Sequence, residues 1–476
     1  MPLILGTNSI KDTGYDVANS VRLNRGDSPY FQRTPSSASN RRTWTWSGWV
    51  KRSGLGNIQT LFNGSDGGYP EIFYFAADDT FIYQHDISGS DYKLISSQVF
   101  RDVSAWYHIV VAKDTTQSTE TNRLKIYVNG SQITMAESAL GYPPEDYEGA
   151  ININDVHIVG NWKTNSYYID GYLAEVAFVD GSQLDATSFG EFDSDSPTIW
   201  QPIDVSGLTF GTNGFHLDFE DSSALGNDVS GNNNDFTPSN LAATDQSTDT
   251  CTNNFATLNS LNVPTSNAPT FSEGNLISST SDSAKFGGTS TIGVSSGKWY
   301  AEFKSAETGG EEKEMVGVTH SPAEDARNGN NVGRSAGSFA IRFLDGQQSN
   351  NNSASDYGSA FSVGDICQVA LDVDNNQLYF GKNGQWGDGS GNFNQSTPTS
   401  AITITTIANS TEGAYFFAVG DLSSTSGRSK ISCNFGSPEH SISSGNSDAN
   451  GHGNFEYAVP SGYFALCSKN LAEYGG

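Results

Sequence analysis

Leu124-Lys125-Ile126-Tyr127-Val128-Asn129-Gly130 alternates apolar and polar residues and then ends in Asn-Gly. Period-two alternation places Leu124, Ile126 and Val128 on one face of a strand. Asn-Gly best fits a two-residue hairpin turn, because both of its residues tolerate the positive φ that such a turn demands. The stretch therefore predicts an antiparallel hairpin with one face buried. The same pattern recurs outward from it, with strands expected at 44–51, 71–76, 106–113, 155–159 and 172–179. Asn63-Gly64, Asp66-Gly67 and Asp180-Gly181 supply turn chemistry between strands. A second block follows at 299–303, 315–319, 339–343, 366–372, 377–380, 415–419, 431–434 and 463–467, with Asn383-Gly384 as another turn. Helical periodicity is nearly absent; one helical turn is expected within 182–189.

Many short strands with frequent turns and no alternating helices predict an all-β chain of two tandem antiparallel sandwiches, joined by a polar, loop-rich linker. The 476 residues suit two or three domains. The hydrophobic share is only 36%, which fits sheets with one wet face, while 12% aromatics argue against disorder. The expected division is 1–20, an attachment segment; 21–220, the first sandwich; 221–284, linker and packing extension; and 285–476, the second sandwich. The halves show no repeat of one another.

Charge narrows the partners. A net charge of −28 repels phosphate backbones and anionic lipid, so neither nucleic acid nor membrane insertion is expected. No apolar run approaches the ~20 residues of a membrane span. Residues 1–10 lack a basic region and a cleavage site, so a soluble product made in the cytoplasm is expected. The four cysteines show no metal-ligand spacing.

Chemistry-bearing residues are few. No nucleophile elbow, zinc helix or P-loop occurs, and no enzyme activity is expected. The nearest approach to a carboxylate set is His216, Asp218 and Glu220, which would share a face if 215–220 were a strand; the alternative is a solvated strand face over a core of Phe215, Leu217 and Phe219. Asp228, Asn232, Asn234 and Asp235 offer oxygen ligands in one loop, making calcium the candidate cofactor; ordinary turn use is the alternative. Asp66 and the pair Asp78-Asp79 are further carboxylates near a loop rim. Flat aromatic rings between strands are candidates for stacking on sugars: Tyr69, Trp162, Tyr167, Tyr168 and Trp386. Each could equally cap a sandwich end. Arg25-Gly26-Asp27 spells an adhesion tripeptide and is taken as coincidence.

Three motifs occur in order in the first block: 43–50 (TWTWSGWV), 106–111 (WYHIVV) with 124–130 (LKIYVNG), and 169–178 (IDGYLAEVAF). Together they resemble the laminin-G and concanavalin-A-like superfamily over about residues 20–220. In the second block, 297–303 (GKWYAEF), 361–365 (FSVGD), 369–372 (VALD) and 378–384 (LYFGKNG) resemble the SPRY (B30.2-like) sandwich over about 285–470. That resemblance implies partner docking on loops at one end, with 345–357 and 387–395 in such loops. Module order, 178–185 (FVDGSQLD) and 253–258 resemble virion structural proteins of marine tailed bacteriophages. This likeness implies a surface or tail-associated, fibre-like protein of the virion, assembled in the host cytoplasm. Its implied partners are other virion proteins and a host-surface glycan. A passive capsid decoration protein or a polysaccharide-degrading tail enzyme are the alternatives. A homo-oligomer is expected, formed through sandwich faces because no heptad run is present.

Overall fold

The computed structural model of the chain describes residues 14–162, 167–280, 285–306, 313–422 and 429–475. The chain divides into two compact units, Thr13–Thr252 and Asn253–Gly476. Each is a β-sandwich of two large sheets, and among the described residues the pairings are antiparallel except for the short Phe464–Ala465 strand beside Lys298–Ser305.

The deciding hairpin forms as the alternation requires. Leu124–Val128 turns through Asn129 (φ 47°) and Gly130 (φ 80°), and Ser131 pairs back on Val128. The first sheet of this unit then runs Ser131–Gln132, Leu124–Val128, Trp106–Asp114, Thr43–Arg52, Gly171–Asp180, Ser20–Leu23, Gln246–Ser247. The facing sheet runs Met135–Ala139, Ser90–Val99, Thr80–Ile87, Tyr69–Phe75, Gln59–Asp66, His157–Val159, Tyr30–Arg33, Thr237–Ser239. Trp44, Trp46 and Val50 from one sheet meet Phe62, Phe73 and Phe81 from the other. Trp46 meets Phe73 edge-on at 5.1 Å. Its indole lies over the Cα of Gly48, where a Cβ would come within 2.6 Å of the ring. Trp49 takes the opposite face and belongs to an outer cluster with Trp106, Phe189, Trp200 and Phe210. The sheet is therefore buried on both sides, because residues 184–210 fold over its outer face.

In the second unit, Lys298–Ser305 and Ile366–Asp372 sit centrally in one sheet, and Glu314–Thr319 lies between Phe416–Asp421 and Ser338–Arg342 in the other. Trp299, Phe303, Phe380 and Phe417 fill the space between them. Asn383 (φ 48°) and Gly384 (φ 84°) close the hairpin that pairs Lys382 with Gln385.

Two expectations are refined and one segment is located. Residues 221–280 act as the packing extension rather than a loose linker: Thr237–Ser239 and Gln246–Ser247 add strands to the first sandwich. Thr270–Ser272 and Ile277–Ser279 add strands to the second. Polar side chains at edges still carry strand hydrogen bonds, and composition hid that. Residues 1–13 of the expected attachment segment lie outside the described residues; after them Val17 is buried and its N–H donates to Thr252 Oγ1 at 3.1 Å. The supposed loops 345–357 and 387–395 contain the strands Gln348–Asn350, Ser353–Ser355 and Phe393–Gln395.

Trp46→Ala removes one of the two tryptophans at the inter-sheet contact. It is expected to cost about 3–5 kcal/mol, read as a lowered urea midpoint; a loss under 1 kcal/mol would show that the ring does not hold the sheets.

Candidate functional site

Along Tyr69–Phe75 the inward row runs Phe75, Phe73, Glu71, Tyr69, and its neighbour in Thr80–Ile87 runs Phe81, Tyr83, His85. Their register pairs Phe75 with Phe81, Phe73 with Tyr83 and Glu71 with His85. The core thus changes from apolar to polar toward one end of the sandwich. At that end the two hairpin turns, the 147–150 loop and Arg41 enclose a cavity of about 260 Å³. It is lined by Arg41, Asp66, Tyr69, His85, Tyr147 and Glu148, among others.

Beneath the cavity Glu71 and Lys113 are fully buried and ion-paired across the two sheets at 2.5 Å. Tyr83 donates its hydroxyl to Glu71 Oε1 at 2.6 Å, and Ile151 N–H donates to Oε2 at 3.0 Å. Burial alone would raise the Glu71 carboxyl, but Lys113, His85 and the Tyr83 hydroxyl together hold the group down to about 2. Gly149 rests directly on this pair, and a Cβ there would fall 2.1 Å from Glu71 Oε2. The cavity floor is therefore rigid and dictated by the ion pair.

The walls are mixed. Arg41 is committed to Asp66 at 2.7 Å, to Glu148 at 3.8 Å and, through Nε, to the Gly149 carbonyl at 2.6 Å. Tyr69 is 43% exposed and stands at the rim. His85 is only 2% exposed, sits edge-on to Tyr147 at 5.3 Å, and its Nδ1 has no hydrogen-bond partner. Burial pulls its ring down to about 4, against Glu71, so it is neutral at pH 7.

Of the five aromatics singled out from sequence, Tyr69 alone lines this cavity. Trp162 and Tyr167 pair at 5.5 Å, and Trp162 packs on the outer sheet face with Ile72, Tyr74 and Ile82. Tyr168 neighbours Tyr30 at 6.5 Å. Trp386 is a correction: it is 3% exposed and lies in a cluster with Tyr300, Phe455 and Tyr463. Its Gly- and Asn-rich neighbours suggested an open loop, but the C-terminal segment covers it. The sequence reading named Asp66 only as a rim carboxylate and missed His85 and Arg41, whose signal lies in strand register.

The oxygen-rich loop does not fit a cation. Asp228 accepts from the N–H groups of His216, Ser230 and Asn234, between 2.8 and 2.9 Å. Asp235 Oδ1 accepts from Asp228 N–H at 2.9 Å. Asn232 and Asn234 donate their amide nitrogens to the carbonyls of Gly211, Thr212 and Gly214, and Asn234 Oδ1 receives Arg33. This is loop stapling, and the guanidinium would repel a metal. Among the described residues no group of three His, Cys, Asp or Glu side chains is placed to hold a metal ion.

Catalytic sets fare no better. Strand Phe215–Leu217 ends before Asp218, and Phe219 takes φ 60°, so Glu220 leaves the face of His216. His216 instead meets Glu175 at 2.9 Å. Ser47 and His108 lie 2.8 Å apart, but Trp200 Nε1 donates to His108 Nδ1 at 3.0 Å. That fixes the proton on Nε2, so the imidazole donates to Ser47 and cannot act as its base.

Two family models match this architecture. Residues 25–186 match Laminin_G_3, the concanavalin A-like lectin/glucanases superfamily, and residues 298–414 match the SPRY domain. The chain carries these two domains in tandem. No curated protein matches. Among solved structures, the SPRY domain of human HERC1 is similar at 21% identity over 33% of this chain and 87% of that one, with a TM-score of 0.25. A heptameric SAP-like pentraxin from Limulus polyphemus is similar at 14% identity over 36% and 79%, with a TM-score of 0.27. No helix of the described residues is long and apolar enough to cross a membrane.

Lys113→Met would strand Glu71 in the interior and is expected to cost about 3–5 kcal/mol. Adding Glu71→Gln should recover much of that loss in urea unfolding, and a double variant no better than the single would contradict the pairing. Acid should also act on this domain. Burial pulls His85 and His157 down to about 4 and His108 to about 3. A folded pKa below the unfolded value near 6.5 means stability is full above pH ~6.5 and is lost as pH falls toward 4, at up to about 1.4 kcal/mol per pH unit for each ring. Glu71 extends the loss from about pH 4.3 toward 2. His216 opposes it: burial lowers its ring, but Glu175 with Asp218 and Asp228 raises it overall, so its contribution is lost as pH rises. Urea midpoints at pH 7.5 and 5.0 test the balance; a flat profile would contradict it.

Proposed function

We propose that the chain is a carbohydrate-binding protein of a virion surface, tail-associated and fibre-like, that holds a host glycan in the cavity between Tyr69 and His85. The observation that carries this reading is the cavity itself: an exposed aromatic ring at the rim, a rigid floor and a surround of polar groups at one end of a lectin-like sandwich. Sugar sites combine a flat ring for the sugar face with convergent hydrogen-bonding groups for its hydroxyls. The concanavalin A-like match supports a carbohydrate ligand, and the commitment of Asp66 and Glu148 to arginines favours binding over catalysis. The virion setting rests on the sequence resemblance, and with it the pairing with other virion proteins. A closed homo-oligomer would present several weak sites at once and multiply their affinity.

The test is the purified full chain on an array of glycans and bacterial polysaccharides, with calcium and then with chelator. Selective binding that survives chelation is expected, because the Asn- and Asp-rich loop is closed on itself. Tyr69→Ala should weaken it by up to about tenfold. No binding in either condition, or full binding by Tyr69→Ala, would contradict this reading; the former would favour a decoration role.

A further inference from the structure

We infer that the helix Pro322–Asn328 is a proton-controlled latch, held down while Asp325 carries a proton and loosened when that carboxyl ionises. It belongs to the second sandwich and is independent of the carbohydrate reading.

The helix buries little. Its inward face is Pro322, Asp325 and Ala326, spaced as one side of a helical turn requires. It packs beside the strand Phe286–Thr289. Two small apolar side chains remove little apolar area from water, so the state of the third residue decides whether the helix stays docked. That residue is a carboxyl at 1% exposure. Its hydrogen bonding suits the neutral form. Thr319 Oγ1 donates to Oδ2 at 2.7 Å, while Oδ1 receives no donor. An ionised carboxylate only accepts, whereas a protonated one carries a hydroxyl that donates. The Ser335 hydroxyl lies near it as an acceptor.

The surrounding charges act the same way. Glu324 stands on the same helix, and Glu412 comes from a separate loop, where it accepts the Ala323 N–H at 3.1 Å. Both disfavour a second negative charge at Asp325. His320 is committed elsewhere: its Nδ1 accepts from Thr411 N–H at 3.1 Å, and burial lowers its ring, so it is neutral at pH 7. The strand Phe286–Thr289 carries no charge. Arg327 and Arg334 are exposed, and among the described residues neither pairs with Asp325. Burial therefore pushes the carboxyl up to about 6. Against about 3.9 in an unfolded chain, a raised folded value means that docking is tightest below pH ~4. It weakens as pH rises toward ~6 and is constant above. The histidines of the first sandwich act in the opposite direction.

The experiment is hydrogen exchange of the full-length protein, read by mass spectrometry at pH 5.0 and 7.5 and corrected for the intrinsic rate at each. Peptides covering Pro322–Asn328 are expected to exchange about tenfold faster at pH 7.5 after that correction. Peptides from the strand Ile366–Asp372 in the same sandwich are the reference and should change less. Asp325→Asn keeps the size and one accepting oxygen and removes the charge. It should erase the pH difference and leave the helix better protected than in the wild type at pH 7.5. Its thermal melt shows whether it has folded, and if it has not, the wild-type ratio decides alone. Equal wild-type protection at both pH values would overturn the inference, as would helix and reference strand changing together. So would a pH difference that persists in Asp325→Asn, or a helix less protected in that variant at both pH values.

Discussion

The ion pair between Glu71 and Lys113 is the constraint on which the rest of the site depends. It joins the two sheets at the point where the apolar rows between them give out. Two buried charges are tolerable only with full hydrogen bonding, and Tyr83 and Ile151 N–H supply it. The pair cannot move without stranding a charge, so the chain above it is fixed as well. Gly149 can lie on it only because it has no side chain, and Arg41 is tied to Gly149 in both directions, by Nε to its carbonyl and by its own carbonyl to the Gly149 N–H. A polar cavity with a rigid floor follows from one glutamate placed where the strand alternation called for another apolar residue.

Burial on both faces explains a second feature of the first sandwich. Its Thr43–Arg52 and Gly171–Asp180 strands are buried almost throughout, so their outer faces need a cover. Residues 184–210 provide it, and His108 lies between Trp49 and Trp200 as part of that cover, stacked at 4.8 and 6.0 Å. The Ser47–His108 contact is a by-product of this packing. Geometry alone would suggest a nucleophile and base; the indole hydrogen bond that fixes the tautomer removes the base.

What was legible in the sequence was local. Asn129-Gly130 and Asn383-Gly384 form the turns their φ preferences demand, and the strongly alternating strands fall where alternation put them. Ser90–Val99 and Met135–Ala139 were not legible, because their outward side chains and edge position leave little apolar signal. The loop around Asp228 was legible in composition and not in direction: whether asparagine presents oxygen or nitrogen is set by the carbonyls of Gly211 and Gly214, which arrive from another part of the chain. Trp386 misled for a similar reason, since its cover is residues 455–467. The candidate site was legible only at Tyr69 and Asp66. Its other parts, Arg41, His85 and Tyr147, are brought together by register and by a loop crossing more than a hundred residues of sequence.

The account stands on the claim that a sugar occupies the space between Tyr69 and His85. A crystal structure of the full chain grown with its best neutral hexose tests that most directly. The account predicts density for a sugar ring above Gly149, with one face toward Tyr69. Density for the sugar elsewhere, with only solvent at His85, would contradict it.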